Sequence, residues 1–302
     1  MQNKTRLCFY AEQEDKTLNE TTVRQLIRDM GTDCSELTQI RSKDGVSVYR
    51  VKSGNGRYVL KAFDNAEYCR EIENYLILNG LRVPTIGLIA YTDNALLMED
   101  LEFSDEYRLA AEEDMADETV AAALAKWYRR LHDRGRAYVA DHGGNMYMES
   151  GCITGANLEF IKRKTNTGDN PVWRALDERL HRLRELIDAM DKTLVYNDFY
   201  YTNMAVSRDG TRALMFDYNL LGKGPAAGDI RNVTYSLSKS ARESFLDSYG
   251  DYDEGNAALN SILEHLVTLY FACVREAFPQ WGAEALGRLK NGELLKRLEE
   301  LG

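Results

Sequence analysis

Past Asp100 the chain reads as long helical patterns broken once by a short β-rich island, and that break restricts the fold more than any other feature. Apolar residues recur at helical spacing over 118–134, 171–190 and 256–278. Between the last two patterns lies TLVYNDFYYTNMAV, a turn at Ser207-Arg208-Asp209-Gly210, and then RALMFDYN. Before Asp100 the chain is mixed. LNETTVRQLIRDMG is an amphipathic helix stopped by Gly31. VSVYRV and RYVLKAF are strands joined across KSGNG, where Asn55-Gly56 tolerates the positive φ of a hairpin turn. The spacing predicts a helix over 65–79 closed by Gly80, then strands TIGLIAY and ALLMEDL about the turn Thr92-Asp93-Asn94. The expectation is an α+β chain of two lobes. A small β-rich N-terminal lobe covers 1–101 and a larger, mainly helical lobe covers 102–302, with a ligand cleft as the default site.

Composition narrows the function. The 302 residues carry 38 Lys plus Arg against 48 Asp plus Glu, a formal net charge of −10. Sequence-independent nucleic-acid binding needs the opposite sign, so no nucleic-acid partner is expected. No apolar run reaches the ~18 residues of a membrane span, and the first residues lack the apolar core of a secretory leader. Five scattered cysteines (Cys8, Cys34, Cys69, Cys152, Cys273) form no CxxC pair, so a disulfide framework or zinc knot is not expected. A cytoplasmic protein with reduced thiols and no membrane partner follows. Trp127, Trp173 and Trp281 lie on helical patterns and are expected in the core, as are the cysteines.

The island concentrates chemistry. Asp198 follows the apolar strand TLVY, Asn203 comes five residues later, and Asp217 stands at the end of the next apolar strand. Two carboxylates and an amide thus emerge from one expected hairpin unit. A D-x4-N pair arises about once by chance in a chain of this length, so the weight rests on this strand and loop context. Mg²⁺ takes hard oxygen ligands and keeps waters. Asn203 and Asp217 supply such oxygens and leave Asp198 as a base with an ordinary pKa near ~4. In the first lobe Lys61 ends RYVLKAF. Glu71 shares a helix face with Tyr75 and Leu78, at i+4 and i+7, so it points to the core. A carboxylate there needs a cation, with Lys61 as candidate partner and Glu67 as rival on the same helix.

These residues, in this order, resemble the aminoglycoside phosphotransferase family, which has a protein-kinase-like fold and is related to choline and ethanolamine kinases. VLKAF is similar to the strand that carries the nucleotide-phosphate lysine, here Lys61, and REIENYLIL to the helix that carries its partner, here Glu71. RVPTIGLIAYTDNALLMEDL resembles the strands leading to the hinge at 98–101, with Met98, Glu99 and Leu101 at the base. ALAKWYRRLHDRG is similar to a long helix ending in Leu131-His132. YNDFYYTN resembles the catalytic loop, with Asp198 as base and Asn203 as metal ligand. MFDYN places Asp217 as the second metal ligand, and Asp229 of GDIRN matches an aspartate that steadies the loop. ARESFLDSYG is similar to a C-terminal helix end in the family. Three positions depart from the pattern. Tyr196-Asn197 replaces His-Gly before the base, Asp217 is followed by Tyr218-Asn219 with no glycine at the third place of that triplet, and SKDGVSVYRV offers only Gly45 to the phosphates. Ser47 or backbone N–H groups must therefore serve there.

The resemblance implies an ATP- or GTP-dependent kinase using Mg²⁺, acting on a hydroxyl of a small, cationic molecule, as a monomer or weak homodimer. An aminoglycoside antibiotic, hence a resistance function, is the first expected acceptor, and a choline- or ethanolamine-type amino alcohol the second. The acidic residues Asp247, Asp251, Asp253 and Glu254 offer charge to a polyamine, and Tyr200 and Tyr201 offer cation–π faces. A catalytically silent nucleotide-binding regulator is the alternative from another class.

Overall fold

A computed structural model describes residues 19–54 and 56–301. Cys8 and Asn55 of the expected turn lie outside them. The chain begins with α1 (Glu20–Asp29), β1 (Glu36–Lys43), β2 (Val46–Ser53), β3 (Gly56–Phe63), α2 (Arg70–Gly80), β4 (Leu88–Thr92) and β5 (Ala95–Glu99). It continues with β6 (Tyr107–Leu109), α3 (Glu118–His142), α4 (Gly155–Lys164), α5 (Val172–Ala189), β7 (Thr193–Val195), β8 (Met204–Ser207), β9 (Ala213–Met215) and β10 (Gly222–Gly224). The helices α6 (Ala226–Ser236), α7 (Lys239–Tyr249), α8 (Ala257–Cys273), α9 (Ala283–Lys290) and α10 (Glu293–Glu300) complete it. Two compact units result. One takes the described residues up to Arg129 with Asp198–Leu220 and Leu237–Tyr249. The other takes Arg130–Asn197, Leu221–Ser236 and the described residues from Gly250 onward.

The first unit is built on an antiparallel sheet of order β1-β2-β3-β5-β4. Strand alternation gives the sheet two faces. Tyr49, Val51, Leu60, Ala62, Ala95 and Leu97 point to one face, where Val23 and Ile27 of α1 cover them. Both α1 residues are fully buried, worth about 1.5–3 kcal/mol each. Asn19 starts α1 by accepting the Thr22 N–H at 2.9 Å, and Gly31 turns the chain away at φ +74°. Val48, Arg50, Val59 and Lys61 lie on the opposite face. A second, small sheet of order β6-β8-β9 belongs to the same unit.

Several elements differ from the sequence expectation. The helix foreseen from Asn65 starts at Arg70. The Asn65 side chain accepts the Glu67 N–H at 2.9 Å, and this local turn competes with the helix. The helix runs through Gly80, and Arg82, at φ +54°, makes the left-handed exit instead. Strand β1 was not foreseen, because its side chains are mostly exposed and show no apolar alternation. The expected single hairpin of the island is divided. β8 and β9 pair with each other, whereas β7 pairs with β10, the three residues Gly222-Lys223-Gly224, in the second unit.

In the second unit α4, α5, α8, α9 and α10 share an apolar core containing Trp173, Leu176, Ile262, Leu266, Leu294 and Leu298. Gly135 of α3 permits close passage of β7, since a Cβ there would lie 2.6 Å from the Leu194 Cβ. Trp127, in the first unit, and Trp173 are buried as expected. Trp281 is 54% exposed because it stands in the 3₁₀ turn Gln280–Gly282, past the end of α8 at Cys273. Among the cysteines in the described residues Cys273 is buried and Cys34, Cys69 and Cys152 are partly exposed. No helix among the described residues is long and apolar enough to cross a membrane.

Candidate active site

Lys61 is the centre of the candidate site. Its position on β3 is paired with Val48 of β2, so its side chain emerges on the face away from α1. Its ammonium donates to Glu71 Oε2 at 2.6 Å and to Asp217 Oδ1 at 2.9 Å. Glu71 is 1% exposed on the inner face of α2, together with Tyr75 and Leu78. Glu67 lies in the turn before α2, so the helical phase that makes it a rival does not apply. Burial opposes the Lys61 charge, yet the carboxylates of Glu71 and Asp217 outweigh it and hold the ammonium pKa above its usual value. Burial pushes the Glu71 carboxyl up to about 7, with Asp217 adding to the rise and Lys61 opposing it.

Asn203 and Asp217 come from the two ends of the β8–β9 hairpin. Asn203 closes a 3₁₀ turn just before β8, and its backbone carbonyl accepts the Phe216 N–H at 2.9 Å. Asn203 Nδ2 donates to Asp198 Oδ2 at 3.3 Å, bringing the expected base and amide together. Burial raises Asp198 to about 6, aided by the Asp217 charge and opposed by Lys61. This lies above the unperturbed carboxylate value of ~4. Asp217 takes a left-handed backbone at φ +63°. Asn219 Nδ2 donates to Asp217 Oδ1 at 2.6 Å.

Lys61, Glu71, Asn203 and Asp217 line a cavity of about 480 Å³ within the first unit, together with Met98, Glu99 and Leu101. That volume suits a small-molecule or cofactor site. The segment after β5 is pinned there. Arg50 Nε donates to Asp100 Oδ2 at 2.6 Å, and Asp100 Oδ1 accepts the Glu102 N–H at 3.2 Å, capping the 3₁₀ turn Leu101–Phe103. Asp198 is not part of the cavity wall. Ser47 is not either. It is 1% exposed, its residue pairs with Ala62, and its hydroxyl lies 3.1 Å from that of Ser42 on the α1 side of the sheet.

The donor set can be tested against Mg²⁺. Both donors to Asp217 approach Oδ1, and Asn203 uses its Nδ2 toward Asp198, so an oxygen of each side chain is left for a hard cation. Asn219 Oδ1, buried in the same wall, has no hydrogen-bond partner among the described residues, as an acceptor facing a cation or its water would. The described residues hold no cluster of three His, Cys, Asp or Glu. Two oxygen ligands with water and phosphate completing the shell suit Mg²⁺, so the residues fit. Asn219 was noticed in the sequence only as a departure from glycine, and nothing in its spacing marks it as a site residue.

In the second unit Asp229 of α6 is 2% exposed and accepts the backbone N–H groups of Tyr196 and Asn197 at 2.7 and 2.9 Å. His132 Nε2 lies 3.1 Å from the same carboxylate. Asp229 thus fixes the backbone immediately before Asp198 in the chain. Tyr200 is 64% exposed, and the candidate acidic residues Asp247, Asp251, Asp253 and Glu254 are exposed.

A family model described as a phosphotransferase enzyme family, APH, matches residues 36–263. The chain belongs to this family. Solved structures agree on the fold. The macrolide 2′-phosphotransferase from Brachybacterium faecium superposes with a TM-score of 0.59 at 17% identity, covering 89% of this chain and 98% of that one. The choline kinase from Streptococcus pneumoniae gives 0.59 at 17% identity, covering 93% and 99%. A spectinomycin phosphotransferase in complex with ADP and spectinomycin gives 0.57 at 11% identity, covering 93% and 98%. A comparison with curated proteins found no match. This APH-family chain is therefore a phosphotransferase with a kinase-like α+β fold.

Proposed function

We propose that the protein transfers the terminal phosphoryl group of ATP or GTP to a hydroxyl of a small molecule, with residues 1–101 supplying most of the nucleotide site and 102–302 the acceptor site. One observation carries this reading. The Lys61 ammonium is held between Glu71 and Asp217 in the wall of a cavity of nucleotide size. A lysine so fixed is a point charge ready for phosphate oxygens. Glu71 sets its direction from the buried side. Asn203 and Asp217 would hold Mg²⁺, which when bound neutralises charge on the phosphates. The backbone of Glu99 and Leu101, at the segment that Arg50 and Asp100 pin, would read the edge of the base. Asp198 orients the acceptor hydroxyl and takes its proton as the new O–P bond forms and the bond to the departing nucleoside diphosphate breaks. A carboxylate raised to about 6 is a better proton acceptor than an ordinary aspartate and is still ionised at neutral pH.

For the acceptor, an aminoglycoside antibiotic stands first and a choline- or ethanolamine-type amino alcohol second. The support is the shared fold with phosphotransferases for spectinomycin and with a choline kinase, and a net charge of −10 that suits a cationic acceptor. An antibiotic acceptor would make this a resistance enzyme of the cytoplasm. The test is coupled ADP release with ATP, Mg²⁺ and a panel of aminoglycosides and amino alcohols. Asp198→Asn preserves shape and removes the basicity. Turnover with the best acceptor should fall by ~10²–10⁴, while nucleotide affinity by titration stays within about threefold, because Asp198 lies outside the cavity wall. Full turnover in this variant would place the base elsewhere. Tight nucleotide binding with no ADP release above background from any acceptor would instead support the silent regulator.

A further inference from the structure

The β1–β2 hairpin carries Gly45 alone, where a phosphate-cradling loop would offer a run of backbone N–H groups, and Ser47 is turned to the α1 side. The strand register shows which side chain takes their place. Gln39 pairs with Tyr49, on the α1 face. In an unbroken ladder Ile40 would then meet Val48, and Arg41 would meet Ser47 and point away from the cavity, because a one-residue slip exchanges the faces. A β-bulge at Ile40 shifts the pairing. Arg41 meets Val48, Ser42 meets Ser47 and Lys43 meets Val46. The contact between the Ser42 and Ser47 hydroxyls marks the same register on the far face. Arg41 consequently stands in one cross-strand row with Val48 and Lys61. Two interstrand spacings, about 10 Å, separate Arg41 from Lys61 along that row.

Charge accounting singles out the same residue. Arg41, Lys43, Arg50 and Lys61 line the cavity. Arg50 is neutralised by Asp100 and Glu102, and Lys61 by Glu71 and Asp217. Lys43 lies 3.9 Å from Asp44. Arg41 is exposed and has no ion pair or hydrogen bond among the described residues, so its guanidinium remains available to an anion. We infer that Arg41 is the phosphate-binding cation of the hairpin and engages the outer phosphates of a nucleoside di- or triphosphate, the bulge at Ile40 being the device that aims it. This rests on the nucleotide reading of the cavity given above. A guanidinium fork matches phosphate oxygens with two parallel donors, which a lysine does not reproduce.

The test is calorimetric titration of the full chain with adenosine, AMP, ADP and ATP at fixed ionic strength, for wild type, Arg41→Ala and Arg41→Lys. Arg41 has no partner among the described residues, so its variants should retain the fold, which circular dichroism checks. In Arg41→Ala, ADP and ATP should bind about tenfold or more weakly. Adenosine and AMP should change by less than about twofold, and Arg41→Lys should recover part of the loss. Unchanged ADP and ATP affinity in Arg41→Ala overturns the assignment. So does an equal loss for adenosine, because Arg41 would then act through the hairpin rather than through phosphate. If wild type binds none of the four, the nucleotide reading of the cavity fails and takes this assignment with it.

Discussion

Lys61 and Ser47 lie on neighbouring strands of one sheet and face opposite ways, and this parity decides which of them can meet a ligand. Lys61 is paired with Val48, so the residue before Val48 belongs to the other side. Ser47→Ala should therefore leave nucleotide affinity within about twofold. It should lower stability by about 1 kcal/mol, the net worth of a typical buried hydrogen bond, as read by urea unfolding. A tenfold loss of nucleotide affinity with unchanged stability would return Ser47 to the phosphates. The contrast shows what was legible at this scale. Glu71 could be read from sequence because Tyr75 and Leu78 fix its helix face. Ser47 misled because its strand was read without the register of its partners. Arg41 was hidden further, since only the bulge at Ile40 brings it to the cavity side. The raised pKa of Asp198 was likewise invisible, because burial comes from residues distant in sequence.

At the scale of elements, the β8–β9 hairpin holds Asn203 and Asp217 at its two ends, and its turn is fastened by Asp209. The Asp209 carboxylate accepts from the Ser207 hydroxyl at 2.6 Å, the Thr211 N–H at 3.0 Å and the Thr211 hydroxyl at 2.8 Å. Led by the Ser207 bond, these donors hold its pKa down to about 2. A carboxyl whose folded pKa lies below its unfolded value of ~3.9 stabilises the fold once ionised in both states, and that contribution disappears as pH falls through the folded pKa. Asp209→Asn should thus be less stable than wild type at neutral pH. The gap measured by denaturant unfolding should shrink below about pH 4 and close near pH 2. A gap constant across that range would mean that the ionised carboxylate does not hold the turn. This hairpin was legible because Ser-Arg-Asp-Gly is a strong turn signal between apolar runs. The partner of β7 was not, since Gly222-Lys223-Gly224 has no side-chain pattern and is a strand only through backbone pairing and the close approach that glycine allows.

At the scale of the whole molecule the pairing of charge matters more than its sum. The chain carries a formal net charge of −10, and the cavity wall holds six carboxylates against four cationic side chains, of which Arg41 has no carboxylate partner among the described residues. Under the proposed function an anionic nucleotide would depend on the few unneutralised cations of the wall against an unfavourable global field, while a cationic acceptor would be drawn by that field as a whole. The two substrates should respond to salt in opposite senses. Screening shortens the Debye length from ~10 Å at 0.1 M to ~3 Å at 1 M, and steering by distant charges fades first. With nucleotide saturating, kcat/KM for an aminoglycoside or amino alcohol should fall severalfold between 50 and 500 mM of an inert salt, mostly through KM. A neutral polyol accepted at the same hydroxyl should be nearly indifferent. Steady-state rates at constant pH and Mg²⁺ across that salt series decide it. If the cationic acceptor keeps its kcat/KM while the neutral one loses it, the acidic surface does not recruit the acceptor, and its selection must lie in direct contacts alone.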